Sequence, residues 1–138
     1  MGFFTFICCN CPFLFHYANG IRKIAIRSVL EPYYPPQALK ALTENPVPEI
    51  SLIDVRPALA YEGGHIPTAL NFPSSEIASR LDELSLDQYL IVHCETGGRA
   101  QLIIDNFLEP NGYTRFMNWG GIYRWTTAGY GMVAEPNP

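Results

Sequence analysis

The chain has 138 residues, which is enough for one domain with a hydrophobic core. Hydrophobic residues make up 48% of it and charged residues 16%, a composition typical of a globular protein and not of a disordered one. The net charge of −4 argues against a nucleic-acid partner, because nucleic-acid-binding surfaces usually carry a basic stripe.

The four cysteines are unevenly placed: three lie near the N-terminus, and Cys94 is alone in the rest of the chain. A single thiol in the body of a domain cannot form an internal disulfide there. A packed or reactive thiol is therefore expected at position 94, and a reducing compartment suits it. We predict a cytoplasmic protein.

Residues 1–20 form an apolar N-terminal segment, "GFFTFICCNCPFLFHYA" being its main part, and basic residues follow at Arg22, Lys23 and Arg27. The segment is short for a membrane-spanning helix, which needs about 20 apolar residues. Two interpretations stay open. Residues 2–18 contact a membrane, with the basic flank keeping the following domain on the cytoplasmic side, or the segment is an extension without function. The crowded cysteines of "CCNC", at positions 8, 9 and 11, fit tetrahedral zinc poorly, so no metal site is expected.

The chain after position 27 begins with a predicted helix in "YYPPQALKAL", whose prolines suit a first helical turn. Two short apolar runs, "EISLIDV" and "ALNFP", predict buried strands. The segment "SSEIASRLDEL" predicts a helix that its serines can cap. The run "YLIVH" is apolar on both faces, as in a central parallel strand covered by helices on both sides.

The second half of the chain continues the same alternation. In "RAQLIIDNFLE" the apolar residues recur at helical spacing, and Gly112 is a suitable left-handed residue after the helix. "TRFMN" predicts a further strand and "GGIYRWTTAG" a last short helix. Repeated β-α alternation is typical of a doubly wound α/β domain with a parallel sheet, which we place at residues 28–138.

Cys94 lies where the "YLIVH" strand ends and the next helix begins, the edge at which open α/β sheets bind ligands. Gly97 and Gly98 let the intervening loop curl, so that successive N–H groups can point inward and bind an anion. The helix N-terminus adds partial positive charge, and Arg99 adds a full one. Each of these features favours the thiolate over the thiol, which makes Cys94 a candidate nucleophile.

Three motifs in order resemble the rhodanese family of sulfurtransferases. They are the loop "CETGGR", the segment "LIDVRPALAYEGGHIPTALNFP" before it, and the closing "FMNWGGIYRW". The resemblance covers about residues 28 to 133. It implies the family's fold, a five-stranded parallel sheet flanked by helices on both faces, which is the fold we expect.

The resemblance also implies a mechanism. Cys94 accepts a sulfane sulfur from a small-molecule donor such as thiosulfate, holds it as a persulfide, and passes it to cyanide or a thiol. The backbone N–H groups of the loop would bind the persulfide, which gives as substrate-binding residues Glu95, Thr96, Gly97, Gly98 and Arg99. No metal or organic cofactor is needed, because the cysteine itself carries the sulfur.

Loop length separates this chain from the related dual-specificity phosphatases. Four residues lie between Cys94 and Arg99, whereas the phosphatase loop has one residue more and surrounds a phosphate. The shorter loop fits a single sulfur, so phosphatase activity is not expected. Glu95 departs from the pattern of an anion site, because its carboxylate opposes both a thiolate and an anionic donor.

Two other functions stay open. One is a relay module that hands its persulfide to a sulfur-acceptor protein, and the other is a binding domain that has the fold without catalysis. The remaining polar and aromatic residues of the motifs are interpreted as structural. His93 should face away from Cys94, because neighbours in a strand point to opposite faces. The others in this group are Asp54, Arg56, His65, Trp119 and Trp125, and for Trp119 a place at the mouth of the pocket stays open.

Overall fold

The computed structural model describes residues 29–137, so the predictions for residues 1–20 lie outside the described part of the chain. Four strands form one parallel sheet in the order β2-β1-β3-β4. Their bounds are Ile50–Asp54 for β1, Leu70–Asn71 for β2, Tyr89–Cys94 for β3 and Phe116–Gly121 for β4. Each strand overlaps one of the four segments that the sequence predicts as strands.

Among the described residues, five α-helices from Pro36 onward connect and cover these strands. Their bounds are Pro36–Glu44 for α1, Ala58–Glu62 for α2, Ile77–Arg80 for α3, Gly98–Ile103 for α4 and Tyr123–Thr127 for α5. Helix α4 continues as a wider π-helical segment, Ile104–Leu108, and a 3-10 turn, Glu109–Asn111. Gly112 follows in the left-handed conformation, with φ of 86°, as predicted.

Both faces of the sheet are buried, which explains why β3 is a continuous apolar run. On one face, Leu90 and Val92 of β3 pack with residues of α3 and α4, among them Ile77 and Ile103. On the other face, Ile91 packs with residues of α1, α2 and α5. The expected doubly wound α/β arrangement, with helices on both sides of a parallel sheet, is therefore confirmed.

The expected number of strands was wrong for the described residues, in which the sheet has four strands and not five. The C-terminal segment comes closest to a further strand. Val133 pairs with His65 in both directions, through N–H···O bonds of 2.9 Å, but as an isolated antiparallel bridge. The residues after it are exposed, so they lack the two-sided burial that would favour extending that bridge into a strand.

Helix α3 is shorter than the sequence predicts, because the chain tightens into a 3-10 turn at Leu81–Glu83. The hydroxyl group of Tyr113 lies 2.5 Å from the Leu81 carbonyl oxygen and 2.8 Å from that of Leu84. Carbonyl groups that a longer helix would use are thus satisfied by a side chain distant in sequence. Ile77 and Leu84 are buried nonetheless and pack in the core on this face of the sheet.

Strand β4 carries an extra residue beside β3. Val92 is opposite Asn118, and the next pair is His93 with Gly120, so Trp119 has no partner and forms a β-bulge. The Trp119 side chain is fully buried on the face that packs against α1 and α5. The bulge ends at Gly120 and Gly121, directly beside the end of β3.

Within residues 29–137, no helix combines the length and the apolar character that crossing a bilayer requires. The membrane contact through residues 2–18 stays a prediction, since that segment is outside the described residues. The cytoplasmic location, argued from the single thiol at position 94, also stays a prediction.

Candidate active site

Cys94 ends β3 at the carboxyl edge of the sheet, as the sequence predicted. Its side chain is on the face that packs against α4, and the residue is 1% exposed. The carbonyl group of Cys94 accepts a bond from the Ile122 N–H group at 2.9 Å, which ties the end of β3 to the chain leaving β4. The sulfur atom is therefore held at a fixed place under the loop.

Two backbone N–H groups point at the sulfur atom. The Gly97 nitrogen lies 3.0 Å from Cys94 Sγ, and the Ala100 nitrogen lies 3.4 Å from it. Hydrogen bonds to sulfur from N–H groups stabilise negative charge on it, because the donors partly replace the water that burial removes. The arrangement can hold a thiolate or another anionic sulfur species.

Among the loop residues predicted to bind substrate, the structure brings one N–H group, that of Gly97, to the sulfur. Ala100, which the sequence did not assign to the site, supplies the second. The remaining members are exposed around the sulfur, at Glu95, Thr96, Gly98 and Arg99. Arg99 makes no ion pair with any residue between 29 and 137, so its charge is available at the mouth of the site.

The shape of the loop depends on glycines from two parts of the chain. Gly97 has a φ of 102°, a conformation that favours glycine, and a Cβ atom there would meet the Gly120 backbone at 3.0 Å. A Cβ atom on Gly121 would lie 2.7 Å from Thr96 Cα and closer still to the Glu95 carbonyl oxygen. The loop therefore crosses directly over the end of β4.

Gly120 and Gly121 lie against the loop and shape the candidate site, and reasoning from the sequence did not assign them to it. The signal was present in the Gly-Gly pair of "FMNWGGIYRW", because adjacent glycines at a strand end indicate close approach of another backbone. What the sequence could not indicate is which segment approaches.

A buried ion pair stands beside the loop. The Arg56 guanidinium group binds the Asp54 carboxylate through Nε at 3.1 Å and Nη2 at 2.8 Å, and Nη2 also donates to the Gly64 carbonyl. The third nitrogen, Nη1, lies 3.9 Å from Glu95 Oε2, while the Glu95 side chain is 69% exposed. The Asp54–Arg56 pair has the expected structural contacts, and it also places positive charge next to Glu95.

His93 lies on the opposite face of the sheet from Cys94. Its ring meets the Trp119 ring edge-on, with 6.3 Å between centroids, and its Nε2 atom is 3.8 Å from Asp54 Oδ2. Neither ring nitrogen has a hydrogen-bond partner among the described residues. Burial lowers the pKa of the His93 imidazole from its ordinary value, with the Asp54 carboxylate opposing that shift. His93 is thus a neutral core histidine that does not reach the sulfur.

His65 stacks on Tyr61, with ring centroids 3.6 Å apart, and its Nδ1 atom is 2.8 Å from the Tyr61 carbonyl oxygen. Trp125 is buried in the core and donates through Nε1 to the Gly131 carbonyl at 3.0 Å. These contacts belong to packing, as the sequence interpretation of His65 and Trp125 expected.

The family is defined by comparison with known proteins. Residues 35–128 match the model of the rhodanese-like domain, which covers more than half of the chain. This protein therefore belongs to the rhodanese-like family, and the resemblance inferred from its three motifs is confirmed.

Two curated relatives and one solved structure illustrate the match. The chain is 32% identical over 87 residues to a sulfurtransferase of Allochromatium vinosum, which covers 62% of this chain and 80% of that protein. It is 43% identical over 86 residues to a dual specificity phosphatase of Schizosaccharomyces pombe, 56% of this chain and 61% of that one. A rhodanese-related protein of Thermoplasma volcanium superposes with a TM-score of 0.61 at 27% identity, covering 72% of this chain and 95% of the other.

Proposed function

We propose that this protein is a sulfurtransferase that moves a sulfane sulfur from a donor such as thiosulfate to cyanide or a thiol through a persulfide on Cys94. The observation that carries the proposal is the hydrogen bonding of Cys94 Sγ by the N–H groups of Gly97 and Ala100. A sulfurtransferase among its relatives adds support.

In the first step the Cys94 thiolate attacks the outer sulfur of thiosulfate. A Cys94–sulfur bond forms, the bond between the outer sulfur and the sulfonate breaks, and sulfite leaves with the electron pair. The persulfide then carries the negative charge that the loop N–H groups stabilise. Cyanide or a thiolate attacks the outer sulfur in the second step, and the leaving group is the Cys94 thiolate.

Arg99 is the residue we assign to the donor. It is exposed at the mouth of the loop, and a guanidinium group binds a sulfonate as it binds other oxyanions. Glu95 carries the opposite charge at the same mouth, but the Arg56 Nη1 atom at 3.9 Å offsets part of it. The charge balance of the mouth is therefore compatible with an anionic donor.

The test is the mass of the intact protein after treatment with thiosulfate. One persulfide adds about 32 Da, and cyanide should remove it. Because Cys8, Cys9 and Cys11 are also thiols, the matched controls are a Cys94→Ser variant, which should gain nothing, and a variant with these three changed to serine, which should gain the full mass. A persulfide in Cys94→Ser, or none in the wild type, would contradict the proposal.

A second candidate is a persulfide relay to an acceptor protein, favoured by the exposure of the loop residues Glu95, Thr96, Gly98 and Arg99. An exposed loop leaves room for a protein thiol to reach the sulfur. The discriminating measurement is the rate of sulfur loss from the Cys94 persulfide to cyanide compared with the rate to thiol proteins. A relay would react slowly with cyanide and fast with its partner.

Phosphatase activity is named for one relative, but the four-residue spacing from Cys94 to Arg99 favours a single sulfur over a phosphate. Hydrolysis of para-nitrophenyl phosphate is the check. Turnover that Cys94→Ser abolishes, without any persulfide formation in the wild type, would assign the site to phosphate chemistry.

We also propose that residues 28–138 form the sulfurtransferase domain, since all three family motifs lie within them. A chain lacking residues 1–20 should form the Cys94 persulfide as the full chain does, and its melting temperature should be unchanged. Co-sedimentation with liposomes should separate the two chains if residues 2–18 contact membranes. A large loss of stability on truncation would mean that the segment packs into the domain.

A further inference from the structure

We propose that Asn118 is a positioning residue, which keeps the Gly97 N–H group aimed at the Cys94 sulfur. The inference rests on the proposed role of Cys94 as a nucleophile, but not on the identity of the sulfur donor. Asn118 lies in β4, opposite Val92 and directly before the bulge at Trp119.

All of the polar atoms of the Asn118 amide group are used. Nδ2 donates to the Gly97 carbonyl oxygen at 3.1 Å and to Gln101 Oε1 at 3.0 Å, and Oδ1 accepts from the Gly120 N–H group at 2.9 Å. These partners also fix which way the amide group faces, because two acceptors lie on one side of it and a donor on the other. Asn118 therefore joins β4 to the loop and to α4.

Gly97 is the loop residue that most needs such a partner. Its N–H group makes the shorter of the two bonds to Cys94 Sγ, at 3.0 Å, and its φ is 102°. Glycine has a wide choice of φ, so its own backbone does not hold this conformation. The Asn118 bond to the Gly97 carbonyl restrains the residue from its other end, and a bond from the Gln101 N–H group to the same carbonyl, at 3.0 Å, assists.

Asn118 touches neither the sulfur nor the mouth of the site, and it carries no charge. Its removal should weaken the stabilisation of the thiolate because the Gly97 donor is no longer held. Because the effect passes through a neutral hydrogen bond, it should not change with ionic strength.

The experiment measures alkylation of Cys94 by iodoacetamide against pH in the full chain, read by mass spectrometry of the Cys94 peptide so that the other thiols do not interfere. In Asn118→Leu the alkylation profile should shift to lower rates, by about tenfold near neutral pH, because the sulfur loses a well-aimed donor that stabilises negative charge on it. The shift should be the same at low and high salt.

Gln101→Ala is the matched control, since it removes the other side-chain partner of the Asn118 amide and leaves the bond to Gly97 in place. Its alkylation rates should equal those of the wild type across the same pH range. The melting temperature of each variant is measured as well, to show that it is folded. If Asn118→Leu does not fold, Asn118→Ala takes its place.

An unchanged profile in a folded Asn118 variant overturns the proposal, as does an equal shift in Gln101→Ala. Failure of thiosulfate to form a persulfide in the wild type, with the alkylation shift intact, would instead count against the proposed function and leave the role of Asn118 standing.

Discussion

His93 and Cys94 are neighbours in β3, but their side chains lie on opposite faces of the sheet and differ in their hydrogen bonding. The Cys94 sulfur receives N–H groups from Gly97 and Ala100. The two ring nitrogens of His93, and Nε1 of Trp119 beside it, have no hydrogen-bond partner within residues 29–137. Buried polar groups usually have hydrogen-bond partners. At this strand end the backbone N–H donors are concentrated on the Cys94 face of the sheet and not on the His93 face.

The end of β3 contributes to the candidate active site on one face of the sheet and to the hydrophobic core on the other. On the Cys94 face, the backbone turns its N–H groups inward because glycines allow the chain to curl. On the His93 face, a neutral imidazole fills space between Asp54 and Trp119, and burial keeps it uncharged at neutral pH. Substitutions on the Cys94 face should therefore change sulfur transfer, whereas substitutions on the His93 face should change how stability depends on pH.

The largest effect is expected from Gly121→Ala, which should displace the loop on the Cys94 face of the sheet. A Cβ atom there meets the backbone of residues 95 and 96, which cannot move without displacing the loop. Such overpacking costs about 1–3 kcal/mol in the free energy of unfolding, and we expect sulfur transfer to fall at least tenfold, about 1.4 kcal/mol in activation free energy. Urea denaturation and steady-state rates measure the two effects.

Gly131→Ala is the control, because a Cβ atom on Gly131 meets nothing within 4 Å. It should change neither stability nor rate. A Gly121→Ala variant as active as Gly131→Ala would mean that the loop does not depend on close contact with β4.

The second-largest effect is expected at His93, on the opposite face of the sheet. It concerns the free energy of unfolding and appears only below neutral pH. Since the His93 pKa is lowered in the folded protein, the unfolded chain takes up a proton first as pH falls below about 6.5. The unfolded state then binds more protons, so the free energy of unfolding decreases with falling pH, by up to about 1.4 kcal/mol per pH unit. His93→Leu should remove this part of the slope.

The measurement is urea denaturation of wild type and His93→Leu between pH 5 and 7.5, with the difference between them isolating His93. At pH 7 the variant should be as stable as the wild type or slightly more so, because an unpaired polar group is replaced by an apolar one. Sulfur transfer at pH 7 should be unchanged. A large loss of activity would place His93 in the site after all.

The smallest effect is expected at Glu95, whose exposed carboxylate lies at the mouth of the site on the Cys94 face. Glu95→Gln should raise kcat/KM for thiosulfate by a factor of about five or less, since charges exposed to water and partly offset by Arg56 act at about 1 kcal/mol or below. The gain should shrink in high salt. Glu109→Gln, which changes an exposed carboxylate elsewhere on the surface, should have no effect, and a lower kcat/KM in Glu95→Gln would give the carboxylate a positive role.

The sequence predicted the features that depend on local pattern. Strand β3 was recognised because burial on both faces produces an unbroken apolar run, and Cys94 because the run ends at a loop of glycines. The shortness of α3 was not predictable, because it involves the hydroxyl group of Tyr113, a residue distant in the chain. The same reason hid Asn118 and Gly121, whose importance comes from a backbone that approaches from another part of the sequence.

The crossing of the loop over Gly120 and Gly121 also has a consequence for synthesis. A ribosome releases Cys94 before it releases β4, so a growing chain contains the thiol without the strand that shapes its loop. Contacts between distant segments form only when both are present, and domains fold as units during translation. The loop over Cys94 therefore takes its final shape near the end of domain synthesis, and a truncated chain that stops before Gly120 should lack the backbone against which that loop packs.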